Sequence, residues 1–164
     1  MRSIFCLLFV NFLSFGFAQN SIPKVLEKLN SKSVPYITVK ELLAKENAVL
    51  LDARETKEYN VSHIKNAINV GFEKFDVKRT KLIPVDKEAT IIVYCSIGVR
   101  SEKIGERLLK LGYKNVFNLY GGIFEWKHQG GKVVNNQNVE TDEIHTFNKE
   151  WSVYLAKGKK VYEN

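Results

Sequence analysis

Thr90-Ile91-Ile92-Val93-Tyr94 is an apolar, β-branched and aromatic run with no polar alternation. Ala48-Val49-Leu50-Leu51 is a second such run, and it ends on Asp52. A strand with one face in water alternates apolar and polar residues. A strand buried on both faces does not, and such strands belong to parallel sheets covered by helices. These two runs therefore restrict the chain more than any other feature. They call for a layered α/β domain.

The segments around them agree. Thr38 and Glu41 have the spacing of a capping box, which predicts a helix through Leu42, Leu43 and Lys45. Glu55 to Tyr59 predicts one helical turn, and Phe72 to Thr80 a further helix. Ile104, Leu108 and Leu111 form one apolar face of a helix over 101–111, with Gly112 at its stop. Short apolar runs at Ala67-Ile68-Asn69-Val70 and Val116-Phe117-Asn118-Leu119 read as strands, and Gly121-Gly122 turns the chain into a short helix from Ile123 to Trp126. The expectation is about five strands, centred near residues 36, 49, 68, 92 and 117, in a mostly parallel sheet with helices on both faces. A C-terminal helix is added to this. Residues 130–138 read as polar loop, and Ile144, Phe147, Trp151, Tyr154 and Leu155 have helical spacing over 141–157, which predicts a last helix docked on the domain.

The N-terminus reads differently. Arg2 precedes a nearly continuous apolar stretch from Ile4 to Phe17, and small residues stand at Gly16 and Ala18. This is the pattern of a secretory signal cut after Ala18, and it is shorter than a membrane-spanning helix needs. The expected organisation is a signal over 1–18, a polar lead-in over 19–34 with a short helix at Lys24–Leu29, a domain over 35–134 and an extension over 135–164. The expected location is exported, periplasmic or secreted, with no stable membrane insertion after cleavage. Cys6 would leave with the signal, so Cys95 would be the one thiol of the mature chain. One thiol cannot close an internal disulfide; it is a buried apolar filler or a reactive group. The net charge of +7 is spread over scattered lysines without a basic stripe interleaved with aromatics. That excludes a nucleic-acid partner and leaves a mild attraction for small anions.

Position decides the role of the thiol. Cys95 directly follows the best central strand, and Arg100 and Ser101 open the next helix. In parallel α/β sheets ligands gather beyond the carboxyl ends of the strands. A helix N-terminus and an arginine both favour an anion there, so the thiol should ionise more readily. Gly98 lets the loop curl so that successive N–H groups face inward as an anion nest. Such a nest could hold a phosphate for attack by the cysteine, or a persulfide. Four residues, Ser96, Ile97, Gly98 and Val99, separate Cys95 from Arg100. Cysteine-loop phosphatases use a loop one residue longer, so the spacing favours sulfur over a phosphatase or arsenate reductase.

Seven pieces in order carry a family resemblance: Leu51-Asp52-Ala53-Arg54, Glu58-Tyr59, His63-Ile64, Ala67-Ile68-Asn69, Val93 to Ser101, Leu111-Gly112-Tyr113, and Leu119 to Trp126. Together they span about residues 37–134, and the chain resembles a single-domain rhodanese, a rhodanese-like sulfurtransferase. The resemblance implies that Cys95 takes a sulfane sulfur from a thiosulfate-type donor, becomes a persulfide and passes the sulfur to cyanide or a thiol. Amides from Ser96 to Ser101 (Ser96, Ile97, Gly98, Val99, Arg100, Ser101) would stabilise the sulfur, and Arg100 would attract anionic donors. Asp52 and Arg54 match a motif read as a structural ion pair, and His63 as a hydrogen-bonded scaffold residue. His128 and His145 match no motif and read as surface or tail residues, while Phe124 and Trp126 read as core near the loop. No metal or organic cofactor is implied. A protein sulfur acceptor, or a non-enzymatic carrier module that loads sulfur only beside a partner, fits the same residues.

Overall fold

The two unalternating runs become neighbouring strands of one sheet. The computed structural model describes residues 21–75, 83 and 86–162. The expected signal over 1–18 lies outside the described residues, as do residues 76–80 of the expected helix from Phe72. The described part of that segment holds a turn closed by Phe75 N–H on the Phe72 carbonyl, with no helix through 75.

In chain order the elements are α1 (Ile22–Leu29), β1 (Tyr36–Ile37), α2 (Val39–Leu43), β2 (Val49–Asp52), α3 (Thr56–Val61), β3 (His63–Ile64) and β4 (Ile68–Asn69). They continue as β5 (Thr90–Tyr94), α4 (Val99–Lys110), β6 (Asn115–Leu119), α5 (Gly122–His128), β7 (Val133–Val134), β8 (Glu140–Thr141), β9 (Glu143–His145), α6 (Lys149–Ser152) and β10 (Lys159–Val161). The main sheet has the order β1-β6-β5-β2-β4, and every adjacent pair in it is parallel. All five expected strands are its members. No helix among the described residues is long and apolar enough to cross a membrane.

The sheet is buried on both faces because β5 sends alternate side chains to each. Ile91, Val93 and Cys95 join Leu51, Ala53, Ile104, Leu108 and Val116 in the core beneath α4. Ile92 and Tyr94 join Leu26, Ile37, Leu119, Ile123, Phe124 and Ile144 on the opposite face. This two-sided burial explains the missing alternation. It also places Cys95 at the sheet's crest, on the face that α4 covers.

The capping box forms as expected: Thr38 Oγ1 accepts from Glu41 N–H at 3.2 Å, and Glu41 Oε2 accepts from Thr38 N–H at 2.8 Å. The lead-in helix is longer than expected, starting at Ile22, and buries Ile22 and Leu26.

The C-terminal extension departs from the expectation of one docked helix over 141–157. Only Lys149–Ser152 is helical within it. Glu143–His145 instead pairs in parallel with Lys159–Val161. The helical stripe fails because Phe147 takes a left-handed conformation, φ 69°, which no helix admits. Asn148 then restarts the chain as an N-cap, its side chain accepting from Trp151 N–H at 3.0 Å. The expected polar loop over 130–138 also contains β7, which runs antiparallel to β3.

Candidate functional site

The site is built from the ends of β5, β6 and two helices. Cys95 follows β5, and α4 starts four residues later with Gly98 as its N-cap at φ 113°. A side chain is strongly disfavoured at that angle, so the glycine expected from the sequence has a definite backbone role.

The loop carbonyls point away from the sulfur because other elements hold them. Cys95 and Ser96 carbonyls accept from Ile123 and Phe124 N–H, at 2.9 and 3.1 Å, in the first turn of α5. The Gly98 carbonyl accepts from both Asn30 Nδ2 at 2.9 Å and Asn118 Nδ2 at 2.8 Å. A trans peptide is planar, so each carbonyl turned outward turns the following N–H the other way. Ser96, Ile97 and Val99 N–H groups therefore face away from those partners. Gly98 N–H itself donates to Cys95 Sγ at 3.2 Å.

Ser101 Oγ lies 3.5 Å from the sulfur and donates to Asn118 Oδ1 at 2.7 Å. Burial, which pushes a thiol up, is the largest influence on Cys95. The Arg100 charge and the Ser101 and Gly98 donors together outweigh it and lower its pKa below the ordinary thiol value.

Arg100 is fixed rather than free. Its Nη1 and Nη2 donate to Glu58 Oε2 and Oε1 at 2.6 and 2.8 Å, and Nη2 also donates to Ser96 Oγ at 3.0 Å. Burial works against both charges, yet the pairing prevails: the arginine is held more basic and the Glu58 carboxyl more acidic than usual. This pair ties the loop to α3.

Asp52 and Arg54 form a fully buried pair at 2.6 Å. Arg54 also donates to the Ser62 carbonyl at 2.6 Å, and Asp52 Oδ1 accepts from Arg54 N–H at 2.9 Å. They brace the end of β2 against the exit of α3. His63 is buried in β3, stacked on Tyr59 at 3.8 Å between ring centroids, and donates from Nδ1 to the Tyr59 carbonyl. Burial lowers its pKa. Its contacts are those of a scaffold residue.

The structure thus gathers Cys95, Ser96, Gly98, Arg100 and Ser101, with Ile97 buried beneath them and Val99 at the rim. Asp52 and Arg54 lie at the end of β2, the strand beside β5, and His63 lies in β3 of the separate three-stranded sheet. Sequence reasoning missed Asn30, Asn118 and Glu58, which set the loop's shape. A polar residue inside the apolar run Val116-Phe117-Asn118-Leu119 was the available signal for Asn118. Of the two histidines read as surface or tail residues, His145 lies in the C-terminal extension but is buried and accepts from Phe147 N–H at 3.1 Å, and His128 is partly exposed, its Nε2 accepting from Ala156 N–H at 2.9 Å. Phe124 is fully buried, while Trp126 lies at the core's margin against Gly131.

Above the thiol opens a cavity of about 150 Å³, lined by Leu29, Cys95, Ser96, Ile97, Val99, Arg100, Phe147 and Trp151. Its walls come from three parts of the chain.

A parallel sheet carrying a thiol in an amide-lined loop at its crest defines a cysteine-loop α/β protein. The comparisons refine that class. A family model for the rhodanese-like domain matches residues 37–129, and the chain belongs to this family. A thiosulfate sulfurtransferase GlpE of Coxiella burnetii is 32% identical over 96 residues, covering 58% of this chain and 87% of that protein. A tRNA uridine(34) hydroxylase of Hamiltonella defensa is 37% identical over 91 residues, covering 54% of this chain but only 26% of that protein. A rhodanese-related protein from Thermoplasma volcanium superposes with a TM-score of 0.53 at 30% identity, covering 61% of this chain and 97% of that one. A thiosulfate sulfurtransferase from Pseudomonas aeruginosa superposes with a TM-score of 0.57 at 27% identity, covering 71% and 22% respectively.

Proposed function

We propose that this chain is an exported sulfurtransferase that moves a sulfane sulfur through a persulfide on Cys95. The observation that carries the reading is the thiol itself. It is buried, yet its acidity is raised by the Arg100 charge and by the groups beside the sulfur, Ser101 Oγ at 3.5 Å and Gly98 N–H at 3.2 Å. A buried structural cysteine has no use for such donors; a nucleophilic thiolate does. The relatives named as thiosulfate sulfurtransferases support the same chemistry.

In the first step the Cys95 thiolate attacks the outer sulfur of thiosulfate. The new S–S bond forms as the old one breaks, and sulfite leaves with the bonding pair. The terminal sulfur of the persulfide carries the negative charge, which the loop amides are preorganised to hold. In the second step cyanide or a thiolate attacks that terminal sulfur, and Cys95 leaves again as a thiolate. This is double displacement through a covalent intermediate. Asp52, Arg54 and His63 hold the scaffold and take no proton in this scheme. Phosphoryl transfer is disfavoured because the short loop's arginine is already engaged by Glu58 and Ser96.

The test is peptide mass after thiosulfate exposure, combined with thiocyanate formation under turnover. The Cys95 peptide should gain one sulfur atom, and Cys95→Ala should lose both loading and turnover while keeping its melting point. A Cys95 peptide of unchanged mass, or a Cys95→Ala protein that still forms thiocyanate, overturns the assignment. Loading without turnover points instead to a carrier that needs a protein acceptor.

A further inference from the structure

A second cavity, of about 360 Å³, opens at the amino end of β2. Cys95 stands beyond the carboxyl end of the neighbouring strand β5, and the two cavities share no lining residue. β2 is an interior strand of the main sheet, yet only its carboxyl half, Leu51 and Asp52, is buried; Val49 and Leu50 stay partly exposed. Leu50 packs with the cluster of Ile92 and Tyr94, on the face opposite α4. α2, the turn after β3 and the end of α5 surround it without closing over it. An inward-facing side chain of an interior strand thus becomes part of an open apolar floor.

That floor is made by Leu42, Ala48, Leu50 and Ile64, and Trp126 forms a wall. The indole is fixed in place. Its Nε1 donates to the Lys132 carbonyl at 3.0 Å, and Gly131 lets the backbone lie against the ring, where a Cβ would overlap it. Three lysines, Lys45, Lys65 and Lys132, stand on the rim, and no acidic residue is among those lining the cavity. Lys132 pairs with Glu140 at 2.9 Å, and Lys45 lies 5.8 Å from the centroid of the Phe117 ring. Lys65 is exposed and makes no ion pair among the described residues.

The two halves of the cavity narrow what it suits. A small inorganic anion gives up hydration over leucine and isoleucine and meets only exposed lysines, whose attraction water screens. A cation is repelled by the rim. A single carboxylate on an apolar chain satisfies both halves, and the volume falls in the range of small-molecule sites. Leu43, 70% exposed, is the one apolar lining residue that projects; the others are recessed, which suits one chain entering the cavity and not a bilayer surface.

We propose that this cavity binds a free fatty acid of medium chain length, with Leu42, Leu50, Ile64 and Trp126 holding the chain and Lys65 facing the carboxylate. The site is separate from the sulfur chemistry and stands or falls without it.

The experiment titrates decanoate, kept below its micellar concentration, into the full chain carrying Trp151→Phe, so that Trp126 is the one tryptophan. Trp126 emission should change saturably, with a Kd on the order of 0.1 mM. Octanoate, two methylenes shorter, should bind about tenfold more weakly. Decyltrimethylammonium, with the same chain and a cationic head, should also bind about tenfold more weakly or less well still. Lys65→Glu, at an exposed position, should raise the decanoate Kd by about fivefold or more. Leu43→Ser should raise it about threefold and supplies the variant readout if the charge reversal does not fold. Adding Cys95→Ala should leave binding unchanged. The inference is overturned by the absence of a saturable change below about 1 mM, by equal binding of the cationic amphiphile, or by variants that bind like the parent. Loss of binding with Cys95→Ala would put the ligand over the thiol and overturn it too. So would adsorption to phosphatidylglycerol vesicles without saturable decanoate binding, which would make this face a membrane contact.

Discussion

Ser101 has one hydroxyl proton and two claimants for it. Asn118 must present its oxygen to Ser101, because its amide nitrogen is committed to the Gly98 carbonyl. While Cys95 is a neutral thiol, the proton belongs to Asn118 Oδ1. Once the sulfur is ionised it competes for that proton, and Gly98 N–H already points at it. The lowered thiol pKa means that thiolate, and with it sulfur loading, is present above the folded-state value and lost as pH falls through it. The inflection of the loading rate should therefore lie below that of an unperturbed cysteine thiol. Ser101→Ala should move that inflection upward and slow loading near neutral pH by about tenfold, equivalent to one charge-assisted hydrogen bond of about 1.5 kcal/mol. Stopped-flow loading across a pH series checks it; an unmoved inflection would show that the hydroxyl serves only Asn118.

At the scale of elements, the sulfur site depends on α5 as much as on α4. The first turn of α5 supplies the amides that hold the loop's carbonyls outward, and Gly122 makes that approach possible. Its φ is 55°, and a Cβ there would overlap the Cys95 carbonyl oxygen and lie 2.7 Å from the Ser96 carbonyl oxygen. Gly122→Ala should cost about 3 kcal/mol from left-handed strain and overlap combined, and lower the melting midpoint by about 9 °C. It should also slow sulfur loading, because the loop can escape the methyl group only by turning its amides. A melt within about 2 °C of wild type would mean that α5 and the loop are not rigidly joined. This junction was only half legible in the sequence. Gly121-Gly122 announced a turn before a helix, but nothing local said that the helix would bond back to residues 95 and 96. The strands were legible because burial on both faces writes itself into composition. The Arg100–Glu58 pair and the Asn30 and Asn118 clamps were not, since each joins residues at least 20 positions apart. The extension misled for a different reason: Ile144, Phe147, Trp151 and Leu155 match a helical stripe, yet Ile144, Trp151 and Leu155 face one core from a strand, a short helix and a coil, while Phe147 stays half exposed in a left-handed turn.

Across the whole molecule, the segments flanking the family domain are part of its interior. Ile144 and Leu155 are almost wholly buried, and they share one apolar cluster with Ile22 and Leu26 of α1 and with Ile92, Leu119 and Phe124 of the main domain. Polar contacts follow the same path: Lys127 pairs with Asp142 at 2.6 Å, Ala156 N–H donates to His128, and Asn136 N–H donates to the Asn60 carbonyl at 3.3 Å. A flank that only leaned on the domain would melt away first. A flank that completes a shared core unfolds with it, because its departure would expose the apolar face that it covers. Heat should therefore unfold the described part of the chain in one transition, with Trp126 in α5 and Trp151 in α6 reporting the same midpoint. Ile144→Ala should cost about 3 kcal/mol, lowering that shared midpoint by about 9 °C without splitting it. An early, separate loss of the Trp151 signal would show the extension to be a detachable lid, and the cavity wall over Cys95 would then be present for only part of the time.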